Sequence, residues 1–291
     1  MKLQSALEYF TTHIWAIIVI AVIFVVLYEL GLFSALSYAP KAAPGACSIQ
    51  RGYNMEPTLT GQCLNELPEF VDYFPGGNGG QVTLPDPKLY WGDSNSFSLN
   101  VWTDYSNENT QYQTVVTKGS SALVFDLVLR GNVGPPYVQS IRYTGSCGVT
   151  RVSGPVPISN TWEDWAFTFD GNFMKIYVNG QQVTASTKPC SIWEDVGGTF
   201  DIGNAGVTTG VAPMYIANLQ FYNTALSANS IQALYQEGLG GEPIDLADLI
   251  GWWPLNGDTL DYSGYGNNGY SPVNTVYVGN WWQSSTYTGA P

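Results

Sequence analysis

The chain has 291 residues with 23 acidic against 10 basic side chains, and its net charge of −13 argues against binding to phosphate backbones. Only 11% of residues are charged, while Tyr (19), Trp (10) and Gly (32) are abundant, the profile of a β-rich surface protein rather than a helical cytoplasmic enzyme. The one histidine, His13, sits beside an apolar run, so Ser-His-Asp, Cys-His and His-metal chemistries are ruled out in the rest of the chain.

Ile14 to Leu27 is an unbroken apolar run, and after Tyr28 and Glu29 the apolar character resumes as far as Leu36. With Tyr9 and Phe10 the stretch is long enough for the roughly 20 residues that a bilayer requires. A plain membrane anchor is one reading. A cleaved secretory signal is another, but it needs a small-residue cut site after about 7–15 apolar residues, and here the apolar pattern continues. Only Lys2 precedes the run, and Glu8 stands just before it; a carboxylate at that depth is costly without a partner. A single helix over residues 4–36 would be about 50 Å long.

Gln4-Ser5-Ala6-Leu7-Glu8-Tyr9-Phe10 followed by Trp15-Ala16-Ile17-Ile18 resembles the N-terminus of archaeal type IV pilin-like proteins, with their class III signal peptide. The resemblance covers about thirty residues. It implies that a prepilin peptidase-like membrane enzyme cuts between Leu3 and Gln4, releasing residues 1–3 and leaving the helix attached. Leu3 stands where that family usually has Gly or Ala. The position matching Glu8 pairs in the family with a neighbouring subunit's new amino terminus. Opposite charges buried between packed helices stabilise only when paired, which can set subunit register.

Residues 37–46 carry Pro40, Pro44 and Gly45 among small residues, as a stiff linker does. Four cysteines allow three connectivities. With no Cys-x-x-Cys pair and no nearby His, a zinc site is not expected, and outside the cytoplasm disulfides are the default. The favoured pairing is Cys47–Cys63, closing a collar within residues 37–65, and Cys147–Cys190, tying two loops of the main domain.

Residues 66–291 read as one β-domain. Ser96–Trp102, Thr114–Val116, Leu123–Leu129, Trp165–Phe169 and Met174–Val178 are short runs rich in β-branched and aromatic residues. Asp170-Gly171 and Asn179-Gly180 supply hairpin-turn chemistry. The expected class is mainly β, an antiparallel sandwich behind a long N-terminal hydrophobic helix. One further helix is predicted, with Ser227 as N-cap, Ile231, Leu234 and Tyr235 on one face, and an end at Gly238.

Trp165–Gly171 with Met174–Gly180, Ile216–Ser227, and residues 70–84 resemble the central hairpin, closing strand and early strand pair of LamG-like, concanavalin A-like jelly rolls. The segment Gly251-Trp252-Trp253-Pro254-Leu255-Asn256-Gly257, continuing through Asp261 and Asn268, usually opens such domains. Here it comes last, after Gly240-Gly241-Glu242-Pro243, which reads as a circular permutation. Its strands are expected to complete the sheets of their own chain, or alternatively those of a neighbour.

Asp258, Asp261, Asn267 and Asn268 cluster in one Gly-rich loop, and related jelly rolls frequently carry calcium, a cation of oxygen ligands. The same residues also suit plain turn chemistry. Asp72, Asn78 and Asp201 are further oxygen donors. Trp91 and Trp193, beside Gly, Ser or acidic residues, are candidates for stacking on sugar rings, as are Trp281 and Trp282 near the end. The uncharged aromatic tail from Gly279 is expected to dock against a surface. Glycosidases on this fold place paired carboxylates along one strand, whereas Glu163-Asp164 and Glu194-Asp195 are adjacent and would face opposite ways. No enzyme is expected. The sequence therefore predicts a cell-surface protein, inserted in the membrane before it assembles with copies of itself into a filament. Its head would adhere through glycans or surface proteins. The alternatives are a calcium-dependent, membrane-anchored adhesin that does not polymerise, and a surface glycoside hydrolase.

Overall fold

The computed structural model describes residues 2–29, 39–63, 67–76, 80–84, 96–105, 112–119, 123–130, 140–142, 149–152, 154–187, 199–203, 213–273 and 275–287. The chain divides into two compact units, Met1–Ala39 and Pro40–Pro291. In the first, helix α1 runs Lys2–Glu29. The end of the helix expected over residues 4–36 lies outside the described residues, as do Cys147, Cys190, Trp91, Trp193, Asn78, Glu194 and Asp195.

The second unit opens with β1 (Lys41–Ala42), β2 (Cys47–Gln50), β3 (Thr58–Gly61) and β4 (Leu67–Pro68). β1 pairs β4 in parallel, and β2 and β3 form an antiparallel hairpin. Then follow β5 (Phe70–Phe74), β6 (Gln81–Leu84), β7 (Phe97–Tyr105), β8 (Tyr112–Gly119), β9 (Leu123–Arg130) and β10 (Ser140–Arg142). β11 (Val149–Arg151), β12 (Trp162–Phe169), β13 (Phe173–Val178), β14 (Gln181–Thr187), β15 (Thr199–Gly203) and β16 (Met214–Tyr222) continue the series. Helix α2 (Ala228–Glu237) precedes β17 (Leu249–Trp253), β18 (Tyr270–Val273) and β19 (Val276–Gly279).

Two sheets result. One has the order β11-β10-β9-β8-β15-β6-β18; the other runs β14-β13-β12-β7-β16-β5-β19, with β17 also paired to β16. The strands alternate faces, and inward residues such as Phe97, Leu99, Val101, Phe167, Ile176, Phe200, Ile216 and Trp253 fill one core between the sheets. The segment from Gly251 onward completes sheets of its own chain. β17 lies along β16, with Trp253 opposite Leu219, while β18 joins β6 and β19 joins β5. Two consecutive strands thus close the same side of both sheets.

Local chemistry explains the turns. Asn179 (φ 49°) and Gly180 (φ 74°) both take positive φ, as the tight hairpin between β13 and β14 requires. Asp170 Oδ1 accepts from the amides of Asn172 and Phe173 at 2.9 and 2.7 Å, closing the turn between β12 and β13. Ser227 Oγ accepts from Ser230 N at 3.1 Å and Gly238 (φ 83°) ends α2.

A third layer covers the outer face of the β12–β7–β16 sheet. Ile231 and Leu234 of α2 join Ile49, Leu249 and Trp252 over the outward side chains Ala166, Tyr177 and Tyr222. The collar belongs to this layer. The Arg51 guanidinium donates to the carbonyls of Ser263, Leu246 and Leu249 at 2.8, 3.0 and 2.8 Å and lies 4.2 Å from the Tyr265 ring centroid. The collar is closed by the Cys47–Cys63 disulfide, the pairing expected for it. For a loop of about this size, cross-linking the unfolded chain contributes about 3 kcal/mol. The double variant Cys47→Ser/Cys63→Ser should therefore melt about 6–12 °C lower in a calorimetric scan, and an unchanged Tm would show that the collar adds nothing to stability.

Candidate functional site

The most conspicuous surface is α1. Each large apolar side chain from Ile14 to Val26 is between 40% and 71% exposed, Trp15 the most so. These residues point in every direction round the helix, because an unbroken apolar run leaves no polar stripe. Among the described residues no helix is long and apolar enough to cross a membrane; side-chain exposure is described from His13 to Tyr28. Leu3, Gln4 and Glu8 fall within the backbone span of α1.

The loop after β17 brings together the four predicted calcium ligands, and its oxygens are engaged by the chain itself. Asp261 Oδ1 accepts from the amides of Trp252 and Ser263 at 3.1 and 2.9 Å, and Oδ2 from the amide of Asn267 at 2.8 Å. Asn268 Oδ1 accepts from Asp261 N at 3.0 Å, and Asn267 Nδ2 donates to the Ile250 carbonyl at 3.1 Å. Asp258 accepts from Leu260 N at 3.1 Å through Oδ1 and from the Tyr262 hydroxyl at 2.7 Å through Oδ2. Burial and the Asp258 charge together push the Tyr262 phenol well up. The arrangement is an amide-capped turn centred on Asp261, and as a set these four residues do not fit a cation. Among the described residues no three His, Cys, Asp or Glu side chains converge on one point.

Acidic residues that the sequence does not mark out as buried are the less expected feature. Asp72, Asp104, Glu163 and Asp164 lie in β5, β7 and β12, none more than 4% exposed. Burial pushes Asp72 and Asp164 up to about 8, and also raises Asp104 and Glu163. Glu163 Oε2 accepts from Ile158 N at 2.9 Å, and Ser285 donates to Asp104 Oδ2. All four are held within the sheet rather than exposed at its surface. The one sequence signal was a carboxylate embedded in an aromatic run, as in Phe70–Phe74 and Trp162–Phe169. Alternation alone does not say that both faces of those strands are covered.

The aromatic tail is docked. Trp281 is 1% exposed, its indole N–H donates to the Pro68 carbonyl at 3.0 Å, and its ring meets Trp162 edge-on at 5.6 Å. Tyr287 stacks obliquely on Trp102, and its hydroxyl accepts from Leu239 N at 3.1 Å. Trp282 carries the Lys41 ammonium 4.0 Å above its ring. Trp281 is therefore a packing residue rather than a sugar platform. A separate small cavity of about 40 Å³ lies between the collar and the bulge at Asn218 (φ 50°), lined by Ala42, Cys63, Leu239 and Trp252.

A family profile described as the concanavalin A-like lectin/glucanases superfamily matches residues 76–232. Among solved structures, a candidate carbohydrate-binding protein from Bacteroides ovatus superposes with a TM-score of 0.55 at 17% identity, over 83% of this chain and 66% of that one. A heptameric SAP-like pentraxin from Limulus polyphemus gives 0.52 at 13% identity, over 72% of this chain and 95% of that one. The binding domain of botulinum neurotoxin serotype G gives 0.46 at 16%, over 57% and 43%. The chain thus spans less than two thirds of the Bacteroides protein and of the toxin domain, and at these identities the likeness is one of fold. No curated protein matches the chain.

Proposed function

Because the chain belongs to the concanavalin A-like lectin/glucanases superfamily, matched over more than half its length, we propose that Pro40–Pro291 is a glycan-recognition head displayed by α1 on an extracellular filament. The observation that carries the filament is the exposed apolar surface around α1. Such a surface must be covered, by lipid or by like helices, because leaving each large apolar side chain in water costs about 1.5–3 kcal/mol. The pilin-like residues Gln4–Phe10 favour like helices. A prepilin peptidase-like enzyme removes residues 1–3 from the membrane-inserted precursor, and Glu8 then pairs with the amino terminus of a neighbouring Gln4. The head is read as a binder because its fold is that of a protein described as carbohydrate-binding. Its buried acids are also not disposed for glycoside hydrolysis.

Mass spectrometry of the N-terminal peptide from filaments sheared off native cells tests the first half. The expected start is Gln4, and Glu8→Ala should abolish sheared filaments while the protein stays in the membrane fraction. A start at Met1 in membranes alone would overturn assembly and leave an anchored adhesin. Filaments retained by no member of a broad glycan array, with or without calcium, would overturn the glycan-binding head.

A further inference from the structure

We propose that the cavity between the collar and the Asn218 bulge is a subsite for the acetamido group of an N-acetylated sugar. The proposal rests on the reading of the head as a glycan binder and gives it a place and a sugar class. The collar lines the cavity with Ala42, Ala46 and the Cys47–Cys63 disulfide, and the rest of the head adds Leu239 and the Trp252 indole. Its longer polar side chains, Asn218, Asn256 and Gln62, are all amides, and no lining residue carries a charge. Two of these amides are fixed by the fold. Asn218, 3% exposed, accepts through Oδ1 from Gln220 Nε2 at 3.1 Å and from the Trp252 indole N–H at 2.9 Å, and its Nδ2 donates to the Gly241 carbonyl at 2.9 Å. The Tyr222 hydroxyl holds Gln220 in turn, donating to its Oε1 at 2.8 Å. Asn256 Oδ1 accepts from Phe70 N and its Nδ2 donates to the Ala42 carbonyl, both at 2.8 Å. Each Nδ2 carries two hydrogens, so each keeps one N–H beyond the bond that orients it. Backbone strain gathers at the same place. Asn218 (φ 50°) and Leu255 (φ 56°) are both left-handed, and Asn218 N donates to the Pro254 carbonyl between them at 3.0 Å. Such backbone persists where its surroundings over-determine it, as they do at ligand clamps.

The lining selects the group. With no charge to compensate it, an ion would lose its hydration there without return, so the guest is neutral. About 40 Å³ is room for about three waters, which is the bulk of a few heavy atoms and not of a sugar ring. An acetamido group has that bulk. Its methyl meets Ala42, Leu239 and the disulfide, and its carbonyl oxygen takes the spare N–H of Asn218 or Asn256. Gly45 and Gln62 line the cavity and are themselves exposed, so they mark the mouth, where the sugar ring stays in water. A sugar bearing hydroxyls alone offers these walls no methyl to bury. The collar, Leu239, Trp252 and Asn256 all lie outside residues 76–232, so most of this lining belongs to the chain and not to the part that the superfamily profile matches.

The test is calorimetric titration and saturation-transfer NMR of the full chain in detergent with the methyl glycosides of N-acetylglucosamine, N-acetylgalactosamine and glucose. At least one N-acetyl sugar should bind with Kd of about 10⁻³ M, the scale that ordinary ligand efficiency gives a monosaccharide, and its acetamido methyl should take up the strongest saturation. The glucoside should bind at least tenfold more weakly. So should the N-butanoyl analogue of the sugar that binds, whose acyl chain is two methylenes longer, a comparison that needs no altered protein. Ala46→Leu, at a half-buried position, fills the cavity and should lose at least tenfold in affinity, with circular dichroism showing that it folds. Equal binding of glucoside and N-acetyl sugar, or a folded Ala46→Leu that binds as the parent does, would overturn the subsite and leave the glycan-binding head standing. Other glycans retained on the array, with neither N-acetyl sugar bound, would do the same. No sugar bound at all would overturn the head's reading and the subsite together.

Discussion

Raising the pH from about 5 to about 8 should weaken the head by roughly 4 kcal/mol through Asp164 alone, and Asp164→Asn should remove that loss. Asp164 is fully buried in β12, opposite Trp102 of β7, on the face roofed by Tyr287 and α2. The Asn100 side chain lies close enough to lower the carboxyl's pKa somewhat, but burial outweighs it. Burial holds its carboxyl up at about 8, against about 3.9 in an unfolded chain. Between those values the folded protein keeps a proton that the unfolded chain has released. The unfolded state then binds fewer protons, so stability falls as pH rises, by about 1.4 kcal/mol per unit. The contribution is complete below about pH 4 and gone above about pH 8. Asp72, Asp104 and Glu163 are shifted in the same direction and add to the slope. Urea unfolding in EDTA at the two pH values measures it. The variant should be flatter than the parent and more stable than it at the higher pH. A parent no weaker at pH 8 than at pH 5 would mean that Asp164 is ionised in the folded head and compensated by its surroundings.

The second large effect is expected at Trp281. Trp281→Ala should cost about 3–5 kcal/mol, the usual range for truncating a buried large aromatic side chain. Trp281→Phe keeps much of the ring contact with Trp162 and loses the indole hydrogen bond to the Pro68 carbonyl, so it should cost less, about 1 kcal/mol beyond the change in volume. Since this side chain anchors the segment after β19, the Ala variant should also raise amide exchange across Val276–Gly279, while β12 stays protected. Exchange unchanged at β19 would show that the strand is held by its pairing with β5 alone.

Much of the head was legible because its signals are local. Asn179-Gly180 demands positive φ at two successive residues, and only a tight hairpin offers that. Ser227 and Gly238 bracket α2 because one supplies an acceptor for an orphan amide and the other tolerates a left-handed end. Cys47 and Cys63, sixteen residues apart, close their own hairpin. The loop around Asp261 was harder: closely spaced Asp and Asn are equally good as calcium ligands and as turn caps. What separates the two roles is whether backbone amides occupy the oxygens, and that depends on where Trp252 and Asn267 are carried by the fold.

The amino-acid sequence by itself determined the β-sandwich class, the hairpins, the caps of α2, the collar disulfide and an apolar helix with no polar stripe. Each follows from residues near one another along the chain, through periodicity, turn chemistry or composition. Tertiary structure alone decided that β17, β18 and β19 close both sheets of their own chain, since strand partnership depends on residues some two hundred positions away. It alone decided that Trp281 is packed rather than displayed. It also decided that Asp164 lies in the interior, because alternation gives a strand two faces but cannot say that a third layer covers the outer one, and that Asp72 lies on the inner face with Ile216.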